Sequence, residues 1–123
     1  MSDKPVHRQS LFRAFRCALS GLVCLTRDER NPRIQLAYAV GVIVLGFVCR
    51  ISLTEWALIV LSIGLVLTAE TINTAIERAV DHTSLETHPL ARQAKDLSAA
   101  AVMIAVGASG TIGLIVFLPK WLN

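Results

Sequence analysis

Trp56 to Ala69 is an apolar run that passes without a helix breaker into Glu70-Thr71-Ile72-Asn73-Thr74-Ala75-Ile76-Glu77-Arg78-Ala79-Val80-Asp81. Ser52-Leu53-Thr54-Glu55 ahead of it reads as a helix start, a hydroxyl cap followed three residues later by an acid. One helix over about 53–80 therefore begins apolar and finishes polar. At 3.6 residues per turn, Glu70, Asn73, Thr74, Glu77 and Asp81 share one stripe, and a rise of 1.5 Å per residue puts Glu70 roughly 10 Å deeper than Glu77.

The segments on either side have the same character. Beyond Asn31-Pro32, Ile34 to Val48 is almost wholly apolar and Arg50 closes it, which predicts a first span over about 33–50. Pro89 is expected in a polar connection from about Asp81 to Gln93, with a third span over about 95–118 stopped by Pro119. Upstream, Leu11, Phe12, Phe15, Ala18, Leu19, Leu22 and Val23 recur at steps of three and four among Arg8, Arg13, Arg16 and Arg27, the pattern of an interfacial amphipathic helix over about 8–27. The expected protein is all-α, an integral membrane protein with three transmembrane helices and an N-terminal amphipathic surface helix, forming a single domain over 1–123.

Composition agrees. Of the 123 residues 54% are hydrophobic and 17% charged, and mean hydropathy is +0.58, above the range of soluble domains. The net charge of +3 gathers near the N-terminus, which suits an anionic membrane face and not nucleic acid. Seven Lys and Arg precede Ile34 and three more stand at Arg78, Arg92 and Lys95, against Arg50 and Lys120 on the other side. This bias predicts a cytoplasmic N-terminus and a cytoplasmic second loop. Cys17, Cys24 and Cys49 have no paired spacing, so neither a disulfide framework nor a zinc site is expected. No cleavage-site pattern precedes the first apolar run, and the N-terminus is expected to be retained. Gly107, Gly110 and Gly113 read as small residues at a helix contact.

A carboxyl group at membrane depth costs about 2 to 3 kcal/mol, so Glu70 is a functional candidate and a plausible general base. Glu77 lies where water and ions reach, and Glu29 offers a second hard oxygen ligand; two carboxylates completed by phosphate oxygens and water is a usual way to hold Mg²⁺. Lys95 can neutralise phosphate oxygens and Asp96 can orient the lysine or the metal. Base, metal carboxylates and cation together suit phosphoryl transfer, although no Walker or protein-kinase motif is present. The simpler alternative pairs these acids with Arg30, Arg33, Arg78 or Arg92. Two rival functions are a proton-coupled transporter built on one membrane acid and a catalytically silent adaptor; the graded acidic stripe with Lys95-Asp96 at its mouth speaks against both.

Glu70-Thr71-Ile72-Asn73-Thr74-Ala75-Ile76-Glu77, Val80-Asp81, and His88-Pro89-Leu90-Ala91 followed by Ala94-Lys95-Asp96 resemble the small integral-membrane prokaryotic diacylglycerol kinases and undecaprenol kinases. The likeness covers nearly the whole chain. Glu29-Arg30-Asn31 with Arg33-Ile34, Ile51-Ser52-Leu53 with Glu55-Trp56, and His88-Pro89 look closer to the undecaprenol branch. The resemblance implies a homotrimer with active sites between subunits, ATP and Mg²⁺ on the water side and a lipid hydroxyl entering from the bilayer. It implies Glu70 as base and Glu29 and Glu77 as metal ligands. Cys17, Glu29, Asn73, Glu77, Asp81, Glu86, His88, Lys95 and Asp96 would lie about the nucleotide, and Asn31, Arg33, Glu70 and Ala99 about the lipid. Trp56 matches the undecaprenol pattern but reads more simply as an interfacial tryptophan. Cys17, where the family often has an aromatic, and Leu97-Ser98-Ala99, in place of a glycine-containing run, depart from the pattern; both bear on the acceptor and not on phosphoryl transfer.

Overall fold

The computed structural model describes residues 10–83 and 88–123. They form four helices: α1 (Leu11–Asp28), α2 (Arg30–Val48), α3 (Leu53–His82) and α4 (Pro89–Leu122). The last three are long and apolar enough to cross a membrane, and the protein is an all-helical integral membrane protein. With 30 and 34 residues, α3 and α4 are about 45 and 51 Å long, well beyond a hydrocarbon layer of about 30 Å. The excess length carries the polar turns at the α3–α4 connection.

Local chemistry explains most helix ends. Glu29 alone separates α1 from α2; its extended backbone ends one helix and starts the next, its N–H donating to the Leu25 carbonyl. Pro32 occupies the third position of α2, where an amide would have no intrahelical partner. The α2–α3 turn is a Schellman arrangement: Arg50 N–H donates to Phe47 and Ile51 N–H to Gly46, with Arg50 left-handed at φ 51°. Ser52 and Glu55 then form the expected reciprocal capping box at the start of α3.

Two boundaries differ from expectation. Pro89 does not lie in the connection; it opens α4 at the first position, where proline's fixed φ and missing amide suit the helix, and His88 caps it. Lys95 and Asp96 thus stand in the second turn of α4 and not at its start. Pro119 does not stop the helix, which runs on to Leu122. So close to the end, proline removes one hydrogen bond and leaves no long segment to misalign.

The main contact is the antiparallel α3–α4 pair. Ile59, Ser62, Glu70 and Thr74 of α3 and Ser98, Ala105, Val116 and Phe117 of α4 are buried. Small residues allow a close approach, and Ser62 Oγ donates to Ser109 Oγ at 3.0 Å across the seam. The apolar core lies at the α2–α3 turn, where Ile51, Ile59, Val116 and Phe117 meet Val42, Leu45, Trp56 and Ile112. Trp56 is a packing residue there: its ring lies 4.8 Å from that of Phe47 and covers Gly46. The α4 glycines do not form the expected close contact within the chain, since a Cβ on Gly107, Gly110 or Gly113 would meet nothing within 4 Å. Gly110 and Gly113 instead border an open groove between α2, α3 and α4.

Candidate active site

The polar stripe of α3 lies at the opposite end from the apolar core, and its acids take amide partners at Glu70 and Glu77 and a lysine at Asp81. Glu70 is 5% exposed. Its Oε1 accepts a 2.6 Å hydrogen bond from Gln35 Nε2, a partner 35 residues away on α2. Gln35 Oε1 is buried and takes no hydrogen bond among the described residues. The same side chain stands at the head of the groove, about 480 Å³ in volume, whose walls are almost entirely apolar along Tyr38, Val42, Ile63, Val66 and Val106.

One turn further along, Asn73 is held on both sides of its amide. Nδ2 donates to Glu77 Oε1 at 3.4 Å, and Oδ1 accepts from Ser98 Oγ of α4 at 2.8 Å. Asp81 and Lys95 close the end of the stripe with a 2.8 Å ion pair between α3 and α4. Asp96 is exposed beside this pair on α4. Glu29 meets Arg78 at 3.6 Å, and the same guanidinium reaches Asp28 at 3.7 Å and Cys24 Sγ at 3.4 Å. Among the described residues, the arginine-pairing alternative therefore describes Glu29, but not Glu70 or Glu77.

The remaining expected residues are more scattered. His88 Nδ1 accepts from the Leu90 amide, a local capping role. Arg33 Nε donates to the Glu29 carbonyl at 3.2 Å. Cys17, Asn31 and Ala99 are exposed on α1, α2 and α4, and Glu86 lies outside the described residues. Among the described residues, no three His, Cys, Asp or Glu side chains form a metal-binding group.

Sequence reading names Arg78 among the pairing arginines but gives Gln35 and Ser98 no partner. A signal exists for both. Gln35 is the one amide in the run Ile34–Val48, and a lone amide in a membrane span needs a polar partner. Ser98 falls within the departure already noted after Lys95-Asp96.

The model of the family described as prokaryotic diacylglycerol kinase matches residues 16–117. The chain belongs to that family. It is 41% identical over 121 residues to an undecaprenol kinase of Bacillus subtilis, covering 96% of this chain and 98% of that one. It is 38% identical over 96 residues to a diacylglycerol kinase of Helicobacter pylori, covering 78% and 75%. A diacylglycerol kinase of Pseudomonas aeruginosa is 34% identical over 110 residues, covering 86% and 89%. Family membership makes the chain a lipid kinase, a phosphotransferase with an alcohol acceptor.

Proposed function

We propose that the protein transfers the γ-phosphoryl group of ATP to the hydroxyl of a membrane lipid, with undecaprenol the favoured acceptor. The observation that carries this reading is the hydrogen bond between buried Glu70 and Gln35, the latter lining an apolar groove. A hydroxyl on a long apolar anchor is the complementary ligand: the groove takes the chain, and a carboxylate and an unmatched amide carbonyl meet the alcohol. Glu70 takes the proton as the alcohol oxygen bonds to the γ-phosphorus and the bond to ADP breaks; Gln35 keeps the carboxylate aimed.

Lys95 meets the phosphate oxygens, with Asp96 orienting it and Asp81 releasing it in part from their ion pair. Asn73 presents its amide beside the phosphates. Cys17, Glu86 and His88 border the nucleotide, and Asn31, Arg33 and Ala99 border the lipid head. Glu29 and Glu77 fit Mg²⁺ by donor chemistry, since both offer hard oxygens and both are held loosely, at 3.6 Å by Arg78 and 3.4 Å by Asn73. When bound, the ion would neutralise phosphate charge.

Three spans cannot alone enclose a nucleotide and a lipid, and most of the apolar surface of α2 is exposed in the single chain. Both features support a homotrimer with sites between subunits. Membership of a prokaryotic family supports the bacterial inner membrane for this single-domain chain, and the distribution of Lys and Arg supports a cytoplasmic N-terminus.

The undecaprenol acceptor rests on the 41% identity spanning almost the full length of both chains. Diacylglycerol is the second reading, favoured by the relatives that carry that name. The test is transfer of radiolabelled phosphate from MgATP in mixed micelles, with the two lipids offered separately and Glu70→Gln alongside. Label in undecaprenyl phosphate, lost in the variant, is the expected result. Label mainly in phosphatidic acid moves the protein to the other acceptor, and a variant of near-normal rate removes Glu70 from the base role.

A further inference from the structure

We infer that Ser98 is a positioning residue for Glu77: its hydroxyl donates to Asn73 Oδ1 and so holds the amide with its donor facing the carboxylate. The inference rests on the reading of Glu77 as a ligand of the metal that accompanies ATP.

Ser98 is 6% exposed on the face of α4 that packs against α3. Its oxygen lies 2.8 Å from Asn73 Oδ1 and 2.9 Å from the Lys95 carbonyl. The hydroxyl has one proton for these two acceptors. In an isolated helix it would go to the carbonyl three residues back. Here Glu77 decides. An ionised carboxylate accepts only, so Asn73 must turn Nδ2 toward it, as the 3.4 Å contact shows. That turns Oδ1 toward Ser98, where two oxygens at 2.8 Å repel each other unless the hydroxyl proton lies between them. Donation by Ser98 and donation by Asn73 are thus two halves of one arrangement.

Two consequences follow from the chemistry. Without the hydroxyl, Asn73 Oδ1 is left without its donor, and the amide is held toward Glu77 at one end only. The relay also crosses between helices, joining the turn of α4 that bears Lys95 to the turn of α3 that bears Glu77. This residue lies in the segment Leu97-Ser98-Ala99, where the chain departs from the glycine-containing pattern it otherwise resembles. A glycine has no hydroxyl to do this work.

The full-length protein in mixed micelles provides the test, with Ser98→Ala, Ser98→Gly and Ser98→Thr compared with wild type. Ser98→Ala is expected to raise the Mg²⁺ concentration for half-maximal transfer on the order of tenfold, the usual effect of removing a group that orients a metal ligand. The KM for lipid should stay within about twofold of wild type, and Ser98→Thr, which keeps the hydroxyl, should restore the Mg²⁺ dependence. Ser98→Gly deletes the same group with less volume and replaces the alanine variant if that fails to fold.

A second readout needs no turnover. Asn31, Asn73 and Asn123 are the chain's asparagines, so selective ¹⁵N-asparagine labelling gives three side-chain amide pairs. The Asn73 pair should move in Ser98→Ala while the other two stay. An unmoved Asn73 pair, or unchanged Mg²⁺ dependence, overturns the inference. A Mg²⁺ shift matched by an equal rise in lipid KM also overturns it, because simple loss of packing would do the same. Normal Mg²⁺ dependence in Glu77→Gln would overturn the metal-ligand reading and this inference with it; a defect there with normal Ser98→Ala would overturn this inference alone.

Discussion

At the α2–α3 turn, Ile51, Trp56, Ile59, Val116 and Phe117 close over Gly46 and one another, and Glu55 meets Lys120 at 3.2 Å at the rim. At the other end of the same two long helices, Glu70 meets Gln35, Asn73 lies between Glu77 and Ser98, and Asp81 meets Lys95. The first end is filled by shape and the second is held by hydrogen bonds with exchangeable partners. A packed apolar end gains dispersion and tolerates little change of volume. A hydrogen-bonded end can trade an internal partner for a substrate atom of similar chemistry. The division teaches that anchoring and chemistry are placed at opposite ends of one helix pair, so substitutions at the two ends should separate activity from stability.

The sharpest break in the comparison comes at the site end. Glu70→Gln should lower phosphate transfer by about 10²- to 10⁴-fold, the usual contribution of a general base, while leaving unfolding in a denaturing-detergent titration close to wild type. A large loss of stability with modest loss of activity would mean that the glutamate serves the fold. Gly46→Ala tests the opposite end. An added Cβ there would lie 2.7 Å from Trp56 Cη2 and 3.1 Å from Ile51 Cδ1, and the ring is pinned by Phe47. Overpacking should cost about 1–3 kcal/mol in the same titration, with transfer per folded molecule unchanged.

Two smaller effects sharpen the contrast. Ser52→Ala removes one half of the capping box and should cost about 1 kcal/mol of stability, read in the same way, without changing the KM for ATP or lipid. Arg50→Gly should act with the opposite sign. It relieves a left-handed backbone at φ 51° while keeping both Schellman hydrogen bonds, and a gain of up to about 1 kcal/mol is expected. A loss of stability would show that the Arg50 side chain contributes more than its backbone conformation costs.

The residues themselves show how much was readable in advance. The three apolar helices, the amphipathic α1 and the Ser52–Glu55 cap all follow from neighbours within a few positions, through periodicity, apolar length and local hydrogen bonding. The stripe from Glu70 to Asp81 needed only the helical repeat. The prolines misled at two helix ends because the same residue opens a helix at its first position and interrupts one further in, and its sequence neighbours did not decide between these roles at Pro89 or Pro119.

By itself the sequence determined the elements, the polar and apolar ends of α3, and the family likeness carried by the Glu70–Glu77 and Ala94-Lys95-Asp96 motifs. Only the tertiary structure decided which partner each polar group takes: Gln35 for Glu70, Arg78 for Glu29, Ser98 for Asn73. The same step moved Gly110 and Gly113 from an expected helix contact to the border of a groove. These pairings join positions 25 to 49 residues apart, and they depend on how each helix is rotated and set along its neighbour. That setting comes from the packing of Val42 and Leu45 of α2 about the Ile59–Val116 core and from the seam of small residues between α3 and α4, which no local window of sequence contains.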